Sequence, residues 1–293
     1  MGTATLAQPT VEETIQRIAH EFASLSKQLK KIAVYVESNQ DQIGIDGVRV
    51  FADQCGVHPS AVVRFAQHFG FAGYKEFQAM FRGNLSRQLM PARDYQERIR
   101  ALVDAGPQQL SNVDVAKEFL AGSVAGMHAL EHSLDAQAFQ RAVDLLSASD
   151  CVVVAASRRS FPVAAYLDYA LQHTDKRIIT INTVSSHHLG QAHSLRKGDV
   201  MVAISFHPYA EETLALARTA LERGVQLIAI TDSGMSPLAQ LAQVALVVQE
   251  STTYGFRSLS SSMGLAQSLF IAMAYKLELP AAQRTAPALC AVG

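Results

Sequence analysis

Cysteine is scarce in this chain: Cys55, Cys151 and Cys290 are the only three, an odd number, widely spaced and without a CxxC pair. Such usage supports neither a disulfide framework nor a zinc site, and it fits a reducing, cytoplasmic setting. Long apolar runs are missing as well. Stretches such as Val200 to Ile204 and Val244 to Val248 fall far short of the roughly 20 residues that a membrane-spanning helix needs. The N-terminus also lacks a basic segment followed by an apolar one, so the expectation is an untargeted soluble protein with no membrane partner. An excess of one charge is absent too, the net being −1. Residues 1–93 hold ten Lys and Arg against eight Asp and Glu, a net of +2, and the remainder carries −3. That asymmetry is too weak to point to nucleic acid by itself. No internal repeat, low-complexity tract, metal motif or cofactor motif is found, so neither metal nor cofactor is expected.

The 293 residues, 49% of them hydrophobic, are enough for two cores, since single domains commonly run ~100 to 200 residues. From Val11 to Asn39, the residues Ile15, Ile18, Phe22, Leu25, Leu29, Ile32 and Val36 recur at three- and four-residue steps. This is the pattern of helices with one buried face, broken near Ser24 and Ser26. Further helices are predicted over Asp46 to Cys55, Ser60 to Phe69, and Tyr74 to about Leu85, and no alternating strand pattern occurs before residue 150. Ser86 to Gly106, with Pro91, Gly106 and many charges, reads as a linker with some helical content. Phe119 to Ala148 reads as helix, and the texture then changes. The short apolar runs Cys151 to Ala156, Ile178 to Ile181, Val200 to Ile204, Leu227 to Ile230 and Val244 to Val248 alternate with helical patterns, and Phe256 to Leu277 reads as a long final helix. Five buried strands separated by helices imply a parallel α/β sheet. In such a sheet the ligand sits beyond the carboxyl ends of the strands.

Within the helical part, Cys55-Gly56-Val57-His58-Pro59-Ser60-Ala61-Val62-Val63-Arg64-Phe65 has the grammar of a helix-turn-helix. A helix ends at a glycine, a short turn follows, and Ser60 is placed to cap the next helix. Val62, Phe65, Ala66 and Phe69 would hold that second helix on the core. The candidate DNA-contacting residues are then His58, Ser60, Ala61, Arg64, Gln67 and His68, with the first turn entering the major groove. On these residues alone, a helical hairpin in a bundle is an equal reading. The span Gly56-Val57-His58-Pro59-Ser60-Ala61-Val62-Val63-Arg64-Phe65, followed by Phe69-Gly70-Phe71-Ala72-Gly73-Tyr74-Lys75-Glu76-Phe77, resembles the recognition region of RpiR-type bacterial transcription regulators. In that family the Gly-Phe-x-Gly-Tyr-x-Glu-Phe segment packs the next helix back on the motif. His58-Pro59 lies where the family varies.

In the second part, three strand-to-helix loops combine hydroxyls with a helix N-terminus, the combination that suits a phosphate dianion. After the first strand comes Ala156-Ser157-Arg158-Arg159-Ser160, whose arginines suit paired hydrogen bonds to phosphate or carboxylate. A solvated Arg pair at a turn is the plainer alternative. After the third comes Ser205-Phe206-His207-Pro208-Tyr209-Ala210-Glu211-Glu212-Thr213, with a helix expected from near Tyr209. The fourth delivers Thr231-Asp232-Ser233-Gly234-Met235-Ser236-Pro237, and Arg257 and Ser258, expected to open a helix, would close the site. The candidate effector-binding residues are Ser157, Arg158, Arg159, Ser160, Ser205, His207, Tyr209, Arg257 and Ser258. Over about residues 125 to 280 these loops resemble the sugar isomerase (SIS) domain. The family's Gly-x-Gly-x-Ser loop falls on Ala156 to Ser160, and its Ser-x-Ser-Gly-x-Thr loop on Ser205 to Ala210. Both glycines of the first loop are replaced, and His207, Pro208 and Ala210 stand where Ser, Gly and Thr are preferred.

The resemblance implies two domains: an all-α helix-turn-helix bundle (1–88), a linker (89–121), and a three-layer α/β SIS domain with a five-stranded parallel sheet (122–293). It implies a non-enzymatic cytoplasmic regulator, in the manner of a repressor, of a carbohydrate catabolism operon. The implied partners are a double-stranded DNA operator, a sugar-phosphate effector and further copies of the chain, as a homodimer or homotetramer. The alternative is a cytoplasmic sugar-phosphate isomerase with Glu212 or Glu250 as base and His207 as acid. The two arginines favour a ligand with a second anionic end, such as a phosphorylated sugar acid.

Overall fold

Helices fill the first part of the chain because its apolar residues recur chiefly at three- and four-residue steps. The computed structural model describes residues 11–88, 99–100, 111–182 and 188–285. It divides into two units, Met1–Gln109 with Gly234–Pro237, and Leu110–Ser233 with Leu238–Gly293.

In the first unit, α1 (Val11–Glu21) passes through the 3-10 turn Phe22–Ser24 into α2 (Lys27–Ser38), whose cap Ser26 accepts the Leu29 N–H. The break expected near Ser24 and Ser26 is this turn and cap. Then come α3 (Gln40–Ile43), α4 (Val48–Cys55), α5 (Pro59–His68) and α6 (Tyr74–Gln88). The sequence reading missed α3, a single turn too short to show a period. Gly56 ends α4 in the left-handed conformation, φ +61°. The Gly70 to Phe77 segment inserts its aromatics into the core: the Phe77 ring meets Phe71 at 5.3 Å, Phe81 at 5.0 Å and Phe65 at 5.9 Å between centroids. These tilted and edge-on contacts lock α6 onto α5, as the resemblance implied. Burial pushes the Cys55 thiol up to about 12, which makes it a core residue and not a reactive one.

The second unit opens with α7 (Asn112–Ser133) and α8 (Ala136–Ala148). Residues 112–121, placed in the expected linker 89–121, are the first turns of α7, held at their start by a reciprocal capping box between Ser111 and Asp114. The rest of the expected linker, 89–110, lies outside the described residues except for 99–100. The sheet strands are β1 (Cys151–Ala156), β2 (Arg177–Asn182), β3 (Asp199–Ile204), β4 (Gln226–Thr231) and β5 (Val244–Val247). They pair in parallel in the order β2-β1-β3-β4-β5. Each predicted run became a strand, because a strand covered on both faces reads as an unbroken apolar stretch.

Alternate residues of β1 face opposite layers. Val152, Val154 and Ala156 join Leu146, Leu167, Leu265 and Met273, whereas Cys151, Val153 and Ala155 join Leu195, Leu214, Ala217 and Leu238. The covering helices include α9 (Phe161–Leu171), α10 (His188–His193), α11 (Glu211–Glu222) and α12 (Pro237–Leu241). The last helix, α13 (Ser260–Thr285), starts later than the sequence suggested. Phe256 and Arg257 instead form β7, paired antiparallel with β6 (Thr252–Thr253) in a small hairpin, so Arg257 does not open a helix.

The left-handed Gly56 gives a direct test. Gly56→Ala is expected to lose about 1 kcal/mol, because a Cβ is penalised at that φ. The check is the urea midpoint of the helical unit, followed by far-ultraviolet circular dichroism.

Candidate functional site

The candidate recognition helix is α5. His58 precedes it, and the His58 Nδ1 accepts the Ser60 N–H at 3.3 Å and lies 2.9 Å from the Ser60 hydroxyl. The cap is therefore His58, with Pro59 at the first helical position, and not Ser60 as expected. His58, Ser60, Arg64, Gln67 and His68 are exposed. Ala61 is a correction: it is fully buried with Val62, Phe65 and Ala66. One turn before Phe65, it shares the inward face and cannot reach a base edge. His68 Nε2 lies 2.9 Å from Glu21 Oε2, and Arg17 Nε donates to Glu21 Oε1 at 3.1 Å. The hydrogen bond from Arg17, aided by His68, holds the Glu21 carboxyl below its ordinary range despite some desolvation.

In the second unit the strand order turns at β1: β2 lies on one side of it and β3 on the other. The connections leaving β1 and β3 therefore part company, and a crevice opens beyond their carboxyl ends. The loops that line it carry the residues singled out by sequence. Ser157, Ser160 and Ser205 are buried. Ser160 stands at the N-terminal end of α9, and the Ser205 hydroxyl accepts the Ala210 N–H at 3.2 Å. The Ser157 and Thr213 hydroxyls are 3.0 Å apart, tying the β1 loop to the start of α11.

The arginines cross-link the loops. Arg158 donates a fork to Glu212, Nε at 3.0 Å and Nη2 at 3.3 Å. Arg159 Nη2 donates to the Ser258 carbonyl at 3.2 Å, and Arg257 Nη1 to the His207 carbonyl at 2.8 Å. Asp232 Oδ2 accepts the His207 N–H at 2.9 Å and lies 3.7 Å from Arg257. The His207 ring stands edge-on to Tyr209, 5.7 Å between centroids. Glu250 receives the N–H groups of Ser261 and Ser262 at the start of α13, and the Ser258 hydroxyl accepts that of Ser260. Sequence reasoning did not place Thr213 or Asp232 in the site. Their only signal was position, one turn into α11 and one residue past β4.

Arg158 has φ +52°. A residue with a Cβ pays of order 1 kcal/mol in that region, where glycine pays none. The backbone of the first loop thus keeps a glycine-like conformation around an arginine.

Two family models match the chain: a helix-turn-helix domain of the rpiR family over residues 12–88, and a SIS domain over residues 145–276. The chain is of the RpiR type. It is 27% identical to an HTH-type transcriptional regulator of Caldanaerobacter subterraneus subsp. tengcongensis, with 84% of this chain and 85% of the relative covered. Its fold is similar to that of the Vibrio vulnificus NanR protein complexed with ManNAc-6P, with a TM-score of 0.53, 20% identity, and 93% and 96% of the two chains covered. It is also similar to the sugar isomerase domain of an RpiR transcription factor from Sphaerobacter thermophilus, with a TM-score of 0.54 and 24% identity over 60% of this chain and 99% of that one.

Arg158→Gly should change stability by less than about 1 kcal/mol, because relief of the left-handed strain offsets the loss of a solvent-exposed ion pair and the entropy cost of glycine. Glu250→Ala should cost about 1–2 kcal/mol, because two backbone N–H groups at the start of α13 lose a charged acceptor. Denaturant unfolding of the two variants checks both; a larger loss for Arg158→Gly would make Arg158 a structural residue.

Proposed function

We propose that this RpiR-type protein regulates a carbohydrate catabolism operon from the cytoplasm, and that its SIS domain senses an anionic sugar phosphate in the crevice beyond β1 and β3. The observation that carries this reading is Arg158, held at φ +52° at the mouth of that crevice. A strained backbone around a charged side chain is retained where the side chain is used. Ser160 and Ser205 are proposed to meet the phosphate, with the N-terminus of α9 contributing its dipole. Arg158, Arg159, Arg257, His207, Tyr209, Ser157 and Ser258 are proposed to surround the remainder. Three guanidinium groups with Glu212 and Asp232 beside them favour a ligand with a second negative end, such as a phosphorylated sugar acid. The fold neighbour NanR is complexed with ManNAc-6P, a sugar phosphate, which supports the ligand class.

The isomerase alternative needs a carboxylate aimed at a carbon-bound proton. Glu250 is committed to the N–H groups of α13 and Glu212 to Arg158, which supports binding without turnover. On the DNA side, Ser60, Arg64, Gln67, His68 and His58 remain the proposed contacts. Arg64 is central to the exposed face of α5.

An electrophoretic mobility-shift titration on DNA upstream of the protein's own operon, with sugar phosphates added, tests the whole reading. Specific binding altered by a sugar phosphate is expected. Arg64→Ala should weaken binding by about 1–3 kcal/mol if Arg64 reads a base. Arg158→Ala should reduce the thermal shift produced by the ligand. Turnover of a sugar phosphate without specific DNA binding would establish the isomerase.

A further inference from the structure

The C-terminal end of α5 carries a histidine whose proton is assigned by its neighbour. His68 Nε2 lies 2.9 Å from Glu21 Oε2 of α1, a contact across 47 residues of chain. An ionised carboxylate offers only lone pairs, so the hydrogen of that contact sits on His68 Nε2. The carboxyl stays ionised because Arg17 donates to its other oxygen at 3.1 Å, which holds it below its ordinary range. Arg17 is anchored in turn: its Nη1 donates to the Phe69 carbonyl at 3.4 Å, and its guanidinium lies 5.7 Å from the centre of the Phe69 ring. That ring stands edge-on to His68, 4.8 Å between centroids. Glu21 and Phe69 thus hold the imidazole in one place, with Nε2 committed.

What remains for a ligand is Nδ1, which has no hydrogen-bond partner among the described residues. With Nε2 carrying a hydrogen, a neutral His68 has a bare lone pair at Nδ1, and only the imidazolium has an N–H there. One proton therefore turns this atom from an acceptor into a charged donor. The His68 side chain is 44% exposed and stands one turn after Arg64, on the face of α5 that the core leaves free. It lies at the end of the helix away from the base-reading first turn, where a recognition helix runs beside the phosphate backbone. Phosphate oxygens accept hydrogen bonds and never donate them, so they select the imidazolium.

We infer that His68, positioned by Glu21, contacts a DNA phosphate through Nδ1 in its protonated form, so that DNA binding takes up a proton. The inference rests on the reading of α5 as the DNA-facing helix. An acid beside a DNA-facing stripe would otherwise repel the phosphates; here Glu21 serves as counter-ion to the imidazolium. Glu21 and Arg17 of α1 face His68, and Arg64 precedes it by one turn on its own helix. His20 of α1, Lys27, Lys30 and Lys31 of α2, Arg49 and Asp53 of α4, and Lys75 and Glu76 of α6 form no hydrogen bond or ion pair with it. His58, at the other end of α5, has the opposite requirement: its Nδ1 accepts the Ser60 N–H and must be unprotonated to do so. Of the two, only His68 gains a contact by protonation.

Calorimetric titration of the full-length chain with duplex DNA of mixed sequence tests it, because a phosphate contact needs no operator. In two buffers of unlike ionisation enthalpy, the heats should differ by the uptake of a fraction of a proton, at most one per bound chain. The association constant should fall as pH rises, by up to about tenfold per pH unit between about pH 5 and 8, where histidines titrate. The slope of log affinity against log salt should be steeper at the low end of that range by up to ~0.9, the value for one phosphate contact. His68→Gln should lose the proton uptake and flatten both dependences. Glu21→Gln should reduce the uptake and move the fall in affinity to lower pH, which the loss of a merely structural contact would not do. His20→Gln should behave as the wild type, and circular dichroism verifies that each variant folds at each pH. Binding without proton uptake, uptake that survives His68→Gln, or a salt slope independent of pH would each overturn the inference while leaving α5 as the DNA reader. Absence of DNA binding at every pH would overturn that reading and the inference with it.

Discussion

Everything in the second unit depends on the position of β1 between β2 and β3, both paired to it in parallel and in register over six residues. Strands covered on both faces have no side open to water, so every residue of β1 and β3 is apolar or paired, and polar atoms can appear only past the strand ends. The reversal of strand order at this point separates the two loops that follow. Buried hydroxyls at Ser157, Ser160, Ser205 and Thr213 accumulate there because that crevice is where the sheet leaves room for them. The loops could not hold separate positions by apolar packing alone. They are tied by Ser157 to Thr213, by Arg158 to Glu212, and by Asp232 and Arg257 to the backbone of His207.

The helical unit is organised by a smaller constraint of the same kind. The left-handed Gly56 reverses the chain between α4 and α5, and the Phe77 ring, backed by Phe71, then fixes α6 against Phe65 of α5 while Tyr74 packs on Phe51 of α4. With Ala61, Val62, Phe65 and Ala66 spent on that packing, the outward residues of the recognition helix are what remains. The near-neutral charge is compatible with DNA reading because Arg64 is exposed, while Glu21 is occupied by Arg17 and His68.

How much of this could be read from sequence follows from what leaves a pattern. The five strands were legible to within one residue at each end, because double-sided burial writes continuous Val, Ile and Ala runs. The turn at Gly56 was legible because only glycine is comfortable there. The first turns of α7 were not, since Val113, Ala116 and Leu120 face outward and break the amphipathic signal of a helix with one buried face. Ala61 was misplaced because its small side chain fits either face, and only the packing of α5 decides. Thr213 and Asp232 were not singled out as site residues: Thr213 meets Ser157 of the first loop, and Asp232 meets His207 and Arg257, only after the sheet has formed. His58 replaced Ser60 as cap because Pro59 already occupies the first helical position.

The hairpin of β6 and β7 connects the parts of the second unit that sequence kept apart. Arg257, on β7, reaches the His207 carbonyl at the crevice. One and three residues before it in the same hairpin, Phe256 and Tyr254 pack on Phe119 of α7, and Thr253 lies so close to Gly122 that no side chain fits between them. Interdigitated packing of this kind has discrete arrangements and does not deform smoothly. In the proposed function, a ligand that drew Arg257 away from His207 would act on the element against which α7 is wedged, and α7 is the first described helix of the second unit in chain order. Because allosteric coupling needs a difference in contacts between two states, an exchange of Arg257 and Arg158 between protein acceptors and the proposed anionic ligand would supply the chemical difference. The close fit of the hairpin on α7 would supply the mechanical one.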